Sequence, residues 1–455
     1  MTMTLDQLRE QVRGVVVAPG DNAYEEARAV HNGMIDRRPG SVVRVANAGD
    51  VMATVTYARE NGLALAVRGG GHSAPGFGTV DDGVVVDFSR MRSVRVDPKA
   101  QTARADAGVT WGDINAATHA FGLATPGGVI STTGIAGLTL GGGIGYLTRG
   151  FGLSIDNLIS ADVVTADGRF LVASEHENAD LFWALRGGGG NFGVCTSFEY
   201  RLHPVKDVYW GPMFYEVEET ANIFRFYREY IKNAPEQMGV FPAFQTAPPL
   251  PFIPADRHGD VFVALVACWA GPVEQGEAQF RPFHEVADVK AEMVGPVPFP
   301  AINAAFDGLF PKGIRQYWKG NYVTELTDEA IAVHAEHGPK VPSLSSTMHL
   351  YPIDGAPHRV AQDATAFGHR DANWSMVIVS AWDDPAADAA NVKWVRDYSA
   401  AITPYSQEGG YVNFMAADDD NRVPANYGAN YERLAEIKRR YDPDNLFRVN
   451  QNIKP

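Results

Sequence analysis

After the short apolar run Ala64–Val67 the chain reads Arg68-Gly69-Gly70-Gly71-His72-Ser73, with Gly76 and Gly78 close behind. Glycine reaches backbone conformations with φ > 0 and lets a ligand come close to the main chain. Successive N–H groups in such a turn converge into a nest for an anion. The pattern is therefore a strand end, a diphosphate cradle and a nucleophilic imidazole carried just past it. A Gly-rich hairpin with a surface histidine explains the same stretch equally well at this point, because short motifs recur by chance.

Two further glycine-rich stretches bear on the choice. Residues 125–152 mix glycine with Ile, Leu and Tyr. A flexible linker would carry Gly and Ser without those apolar residues, so this is an ordered wall lying against a large flat ligand. Gly188-Gly-Gly190-Asn-Phe-Gly193 has the glycine spacing of a dinucleotide fingerprint. That fingerprint needs a strand before it and a helix after it. Here helical Leu181–Leu185 precedes and strand-like Val194–Tyr200 follows, so a nucleotide-binding Rossmann domain is set aside.

The 455 residues are too many for one ordinary core and call for two or three lobes. An apolar share of 45% with 20% charged residues is that of a globular chain. A net charge of -15 argues against nucleic acid or an anionic membrane as main partner. Cys195 and Cys268 each sit in an apolar, strand-like run and read as buried free thiols. His349, His358, His369 and Arg370 show no metal-ligand spacing and read as structural or pocket-rim residues, so no metal is expected. No signal peptide or membrane span is visible, and a cytoplasmic enzyme is the default.

Along the chain, Ser41–Ala46, a helix over 47–62 and Leu63–Val67 make a strand–helix–strand unit ending in the first glycine loop. Short strands over 82–107 predict an antiparallel patch. The Asp-Gly pair within 162–172 predicts a hairpin. Residues 206 to about 400 alternate strands with longer helices and carry many aromatics, an α+β lobe with one sheet covered by helices. Tyr411–Phe414 reads as a strand and 427–440 as a helix.

Together these pieces resemble the berberine bridge enzyme-like flavoproteins, a branch of the vanillyl-alcohol oxidase type with a PCMH-type FAD domain. The resemblance rests on Arg68–His72, Thr125-Pro-Gly-Gly128, Gly141–Gly145, Asp156-Asn157, Arg186–Gly193, Tyr411-Val-Asn413-Phe414, Tyr441-Asp-Pro-Asp-Asn445-Leu-Phe447 and Asn450–Ile453, in the family's order. It implies an α+β fold: a PCMH-type FAD-binding domain of two α+β subdomains over 1–205 (core about 36–205), a substrate-binding lobe over 206–405, and a C-terminal segment, 406–455, that returns to the FAD domain. It implies that Arg68, Gly69, Gly70, Gly71, His72, Ser73 and Gly76 hold the cofactor, with His72 bonded to the flavin 8α carbon. Pro126, Gly127, Gly128, Ile130, Thr132, Thr133, Gly134, Gly137, Gly142, Gly143, Gly145, Asn157, Gly193 and Val194 are its further contacts, with Tyr411 and Asn413 near the ring.

Many relatives place a cysteine in the second loop for a second flavin bond. Ile130 stands there, so one covalent link is expected. Thr133 falls at the oxygen-gating position and is about valine-sized, which predicts O2 as acceptor and H2O2 as product. Tyr411 is the candidate base or proton relay; Lys319, a candidate cation to lower its pKa, and Tyr322 complete the catalytic candidates. The substrate is a small or medium organic molecule. A dehydrogenase using another acceptor, and a flavin-dependent cyclase or tailoring enzyme of secondary metabolism, are the alternatives.

Overall fold

Valine-rich segments build the first sheet. In the computed structural model, which describes residues 2–455 with the side chains of Asp420 and Asn421 left aside, Val15–Val17, Ser41–Arg44, Val84–Asp87 and Leu65–Arg68 lie side by side in that order. Ser41–Arg44 and Leu65–Arg68 both run parallel to Val84–Asp87. Parallel strands need a crossover, and the helix Ala48–Glu60 supplies it, its N-cap Asn47 accepting from the Asp50 amide. The strand–helix–strand unit thus forms as the spacing predicts. Val84–Asp87, expected in the antiparallel patch, instead inserts between the unit's two strands. Val84, Val85 and Val86 are all buried, the pattern of a central strand covered on both faces.

The rest of the patch behaves as expected. Val94–Asp97 and Thr102–Asp106 pair antiparallel and continue through Val194–Arg201, Leu158–Val164 and Phe170–Ser174. The hairpin turn at Asp167-Gly168 holds Gly168 at φ +84°.

An eight-stranded antiparallel sheet follows, with Asp207–Glu216, Val261–Trp269, Met238–Thr246, Thr347–Pro352, Trp374–Trp382 and Arg315–Val323 as its main strands. Side chains alternate faces along each strand. Met348, Leu350, Met376 and Ile378 join an apolar core with residues of the helices Thr220–Asn233, Asp328–His337 and Asp388–Ile402. Thr347, His349, Tyr351, Val377 and Val379 line a cavity on the other face. Parallel, antiparallel and helical layers together make the fold α+β.

The C-terminal helix Tyr431–Tyr441 returns to the first half of the chain: Leu434, Ile437, Phe447 and Ile453 share one core with the first two sheets. Its anchor is Lys438, fully buried, whose Nζ donates to Asp442 Oδ2 at 2.6 Å, the Asn191 carbonyl at 2.8 Å and the Phe447 carbonyl at 2.9 Å. Asp442 in turn accepts from the Leu446 and Phe447 amides. The expected strand at Tyr411–Phe414 is absent from the sheets. Gly409, at φ +83°, turns the chain, and a single 3₁₀ turn folds the Phe414 ring against Tyr411 at 4.8 Å.

Two expectations for stability follow from these buried groups. Lys438→Met leaves the Asp442 carboxylate buried and unpaired, and should lower unfolding free energy in urea by about 3–5 kcal/mol. His334, fully buried with Nδ1 2.6 Å from the Tyr398 hydroxyl, is pushed by burial from 6.5 to about 3. The unfolded chain therefore takes up a proton that the folded one refuses, so stability is lost as pH falls from about 6.5 toward 3. The urea midpoint should drop between pH 7 and pH 5, less steeply in His334→Gln; equal slopes would remove His334 from the acid response.

Candidate functional site

The cavity opens where the pleated face of the third sheet meets loops from the first two. Its volume is about 370 Å³, within the range of small-molecule sites. The floor is the first glycine loop: Arg68, Gly69, Gly70, Gly71, His72 and Ser73 all line it. The strand Leu65–Arg68 delivers this loop, and close backbone contact holds it. A Cβ on Gly70 would run into the backbone of Gly134, so both positions require glycine. From the second glycine stretch, Gly128, Ile130, Thr133, Gly134 and Gly137 line the same space, as do Gly193 and Asn413.

The charge is almost wholly internal. Arg68 and Asp87, 7% and 5% exposed, form a buried ion pair, and Arg68 also donates to the Ala27 carbonyl. Arg68 is the single Lys, Arg, Asp or Glu lining the cavity among the described residues. His72 stacks on buried His31 with ring centroids 3.8 Å apart, and its Nδ1 lies 3.4 Å from Thr133 Oγ1. Burial, aided by His31, pushes His72 from 6.5 down to about 3, so its ring is neutral. His31 is lowered by burial as well, and its Nδ1 accepts from the Gln316 amide at 2.9 Å.

Several expected contacts stand behind the wall instead of on it. Asn157 donates to the Phe151 and Leu153 carbonyls and accepts from His203 Nε2 at 2.6 Å, so its polar atoms brace a loop. Gly127 packs on the Trp111 ring and Gly145 on the Gly127 carbonyl; Pro126 offers its carbonyl to Ser154. Gly142 and Gly143, at φ +139° and +89°, end the helix Ile135–Gly141. Gly76, at φ +76°, turns against Ile35. Thr132 and Val194 also lie off the lining, between residues that are on it.

The three catalytic candidates do not assemble. Tyr411 is buried behind the wall, where its oxygen accepts from the Gly143 amide and from Asn413 Nδ2, both at 2.7 Å. Both lone pairs are thus in use, and burial holds the phenol well above its usual range despite those bonds. In this arrangement its oxygen braces the Gly143 turn. Lys319 points the wrong way because Gln316 and Trp318 face the cavity and strand alternation turns Lys319 outward. Its Nζ pairs with Asp418 at 3.0 Å and Asp419 at 2.7 Å; burial pulls the ammonium down, but the two carboxylates win and its pKa is raised. Tyr322 stacks on His369 at 4.4 Å, buried and off the lining.

Other lining residues were not among the expected contacts: His31, Gln316, His349 and Tyr351 from strands and loops far apart, and, inside the motifs, Gly189, Gly190, Asn191, Phe447, Asn450 and Gln451. For Gly189 and Gly190 the signal was in hand. The run set aside as a dinucleotide fingerprint lines the cavity through a 3₁₀ turn of its own. His349 and Tyr351, two apart on one strand, carried the alternation that would have paired them. Cys195 borders the space too, with its thiol pushed far up by burial.

These residues fit the flavin that the motifs imply. Gly137 and Gly190 leave open space where a Cβ would stand. Both polar atoms of the Gln451 amide and the Arg68 Nη1 are buried on the lining without a partner. Such groups are costly unless a ligand satisfies them. Arg68 through Ser73, Gly134, Gly137, Gly190 and Gln451 would hold it.

Comparison with known proteins points the same way. Residues 39–174 match the family described as FAD binding domain, and residues 410–454 the one described as berberine and berberine like. The chain is 30% identical over 460 residues to an FAD-linked oxidoreductase of Dictyostelium discoideum, covering 100% of this chain and 97% of the relative. It is 29% identical over 463 residues to (R)-6-hydroxynicotine oxidase of Paenarthrobacter nicotinovorans, covering 98% and 97%. The crystal structure of 6-hydroxy-D-nicotine oxidase from Arthrobacter nicotinovorans superposes with a TM-score of 0.87 at 27% identity, covering 98% of both chains.

The bracing role of Tyr411 is testable. Tyr411→Phe orphans the Gly143 amide and should cost about 1–3 kcal/mol in urea unfolding. Anaerobic flavin reduction should change less than about 10-fold, short of the ~100- to 10,000-fold expected of a lost proton acceptor.

Proposed function

We propose that this chain, which belongs to the berberine bridge enzyme-like family of FAD-linked oxidoreductases, is an oxidase whose FAD is held by one covalent bond from His72. Its substrate is a small or medium organic molecule, and O2 takes the electrons to give H2O2. The observation that carries this reading is His72 at the cavity floor, with an imidazole that burial keeps neutral. A neutral imidazole is a competent nucleophile toward an electrophilic carbon.

A second bond has no donor. Ile130 offers no nucleophile, and the Cys195 thiol on the same lining is held protonated by burial. FAD, when bound, supplies the two-electron acceptor that the side chains lack. The residues of the chain bind and orient. The glycine loops bring backbone against the cofactor, Arg68 and Gln451 offer it unpaired polar atoms, and the third sheet roofs the space with apolar side chains that exclude water. Thr133, of modest size, borders the cavity beside Ile130, which supports access for oxygen. A dehydrogenase, or a flavin-dependent cyclase or tailoring enzyme, would use the same scaffold and differ in what reoxidises the flavin or in the fate of the substrate.

Acid precipitation tests the linkage. The pellet should stay yellow and fluoresce on a denaturing gel, whereas His72→Ala should bind FAD and release it to the supernatant. Full recovery of FAD from the unmutated protein, or a flavin peptide containing Cys195 or Cys268, overturns the assignment. Photoreduced enzyme mixed with air should reoxidise at once with stoichiometric peroxide. Reoxidation only over many minutes, with an artificial quinone acting at once, establishes the dehydrogenase.

A further inference from the structure

His349 and Tyr351 stand on the roof of the cavity, on the strand Thr347–Pro352, and belong to no role given so far. Being two apart they share a face. His349 Nδ1 lies 2.6 Å from the Tyr351 hydroxyl, and the Phe241 ring backs both at 4.9 and 4.6 Å. His349 is part-exposed to the cavity, and its Nε2 has no hydrogen-bond partner among the described residues.

We infer that His349 and Tyr351 recognise the substrate, and that the substrate is an uncharged aromatic molecule whose hydroxyl or N–H group donates to His349 Nε2 and then yields its proton there. The inference rests on the oxidoreductase reading above and names the substrate class of that site.

The lining decides the class. Trp318, Phe306, Phe310 and Phe414 offer aromatic walls, and the one charged side chain on the lining among the described residues, Arg68, is matched by Asp87. A carboxylate or ammonium on the substrate would enter with no counter-charge, which is prohibitive in a buried site. A polyol would find too few partners. Gln316 is engaged with His31 and Trp318, Gln245 donates to the Leu344 carbonyl, and Thr347 Oγ1 donates to the Phe244 carbonyl. On the roof this leaves His349 Nε2 and Gln245 Oε1 without a partner among the described residues, and of the two His349 stands among the aromatic rings.

Tyr351 is the positioning residue. The role requires the tautomer in which Nδ1–H donates to the Tyr351 oxygen and the lone pair of Nε2 faces the cavity. Burial pushes His349 from 6.5 to about 3, so the ring is neutral and able to accept. Flavin, held by the glycine loops, would supply the two-electron acceptor for the pair released as the substrate C–H bond breaks. The O–H or N–H bond breaks with its proton passing to Nε2, and a C=O or C=N bond forms. As the C–H electrons leave, that proton becomes strongly acidic, so even a weakly basic imidazole takes it.

Binding to the flavin-loaded enzyme, read as perturbation of the flavin absorption spectrum, tests this without turnover or oxygen. The probes are 2-naphthol, naphthalene and 2-naphthoate. 2-Naphthol should bind roughly ten-fold tighter than naphthalene through the one hydrogen bond, and 2-naphthoate at least as much weaker than 2-naphthol. In His349→Ala, at unchanged flavin content, 2-naphthol should fall to the affinity of naphthalene, whose own affinity should hold. Tyr351→Phe should lose part of the difference. An equal naphthol-to-naphthalene ratio in His349→Ala and parent, no perturbation by 2-naphthol, or tighter binding of 2-naphthoate overturns the inference. Peroxide formation, which tests the oxidase reading, is untouched by any of these outcomes.

Discussion

A buried ammonium ties the C-terminal segment to the middle of this chain. Lys438, far along the C-terminal helix, gives up water entirely and recovers its hydrogen bonds from Asp442, Asn191 and Phe447. A buried charge is tolerable only when every donor is used, so the three partners are held in one arrangement. Two of them belong to segments that border the cavity, Gly189–Asn191 and Phe447–Gln451. Asn191 extends the hub by donating to the Gly188 and Gln451 carbonyls and accepting from the Ile453 amide. One wall of the cavity is thus built from segments far apart in sequence.

Two other buried cations do the same between the glycine loops and the eight-stranded sheet. Arg149, 3% exposed, gathers the carbonyls of Ile231, Ala234, Pro235 and Met238 and pairs with Asp354. The first of these carbonyls lies in the last turn of the helix Thr220–Asn233, where they lack helical partners and favour positive charge. Arg370 closes a bidentate pair with Asp156. The roof of the cavity is therefore fixed relative to its floor, which any site that brings two reacting groups together needs.

Where motif reading succeeded, the residue type had no substitute. Gly70 and Gly134 meet backbone to backbone, and Gly142 and Gly143 sit at left-handed φ, so the glycine loops announce themselves in the sequence. Elsewhere the motif named a neighbourhood and the backbone decided which side chain faced in. Tyr411 lies in a recognisable Tyr-Val-Asn-Phe stretch, yet a 3₁₀ turn aims Asn413 and Phe414 at the cavity and spends the Tyr411 oxygen on Gly143. Lys319 missed by one residue of strand parity.

By its sequence alone this chain determined the α+β class, the two glycine-rich cradles, the histidine that follows the first of them and the family to which they belong. Each rests on local chemistry: a conformation only glycine adopts, or an order of motifs along the chain. The tertiary structure alone decided the occupants of the roof. His349, Tyr351, Gln316 and Trp318 come together from strands joined across a sheet whose registers depend on long-range pairing. Their polarity, and the absence of unmatched charge among them, exist only once that pairing has formed, because a side chain's face is set by the neighbour its strand pairs with.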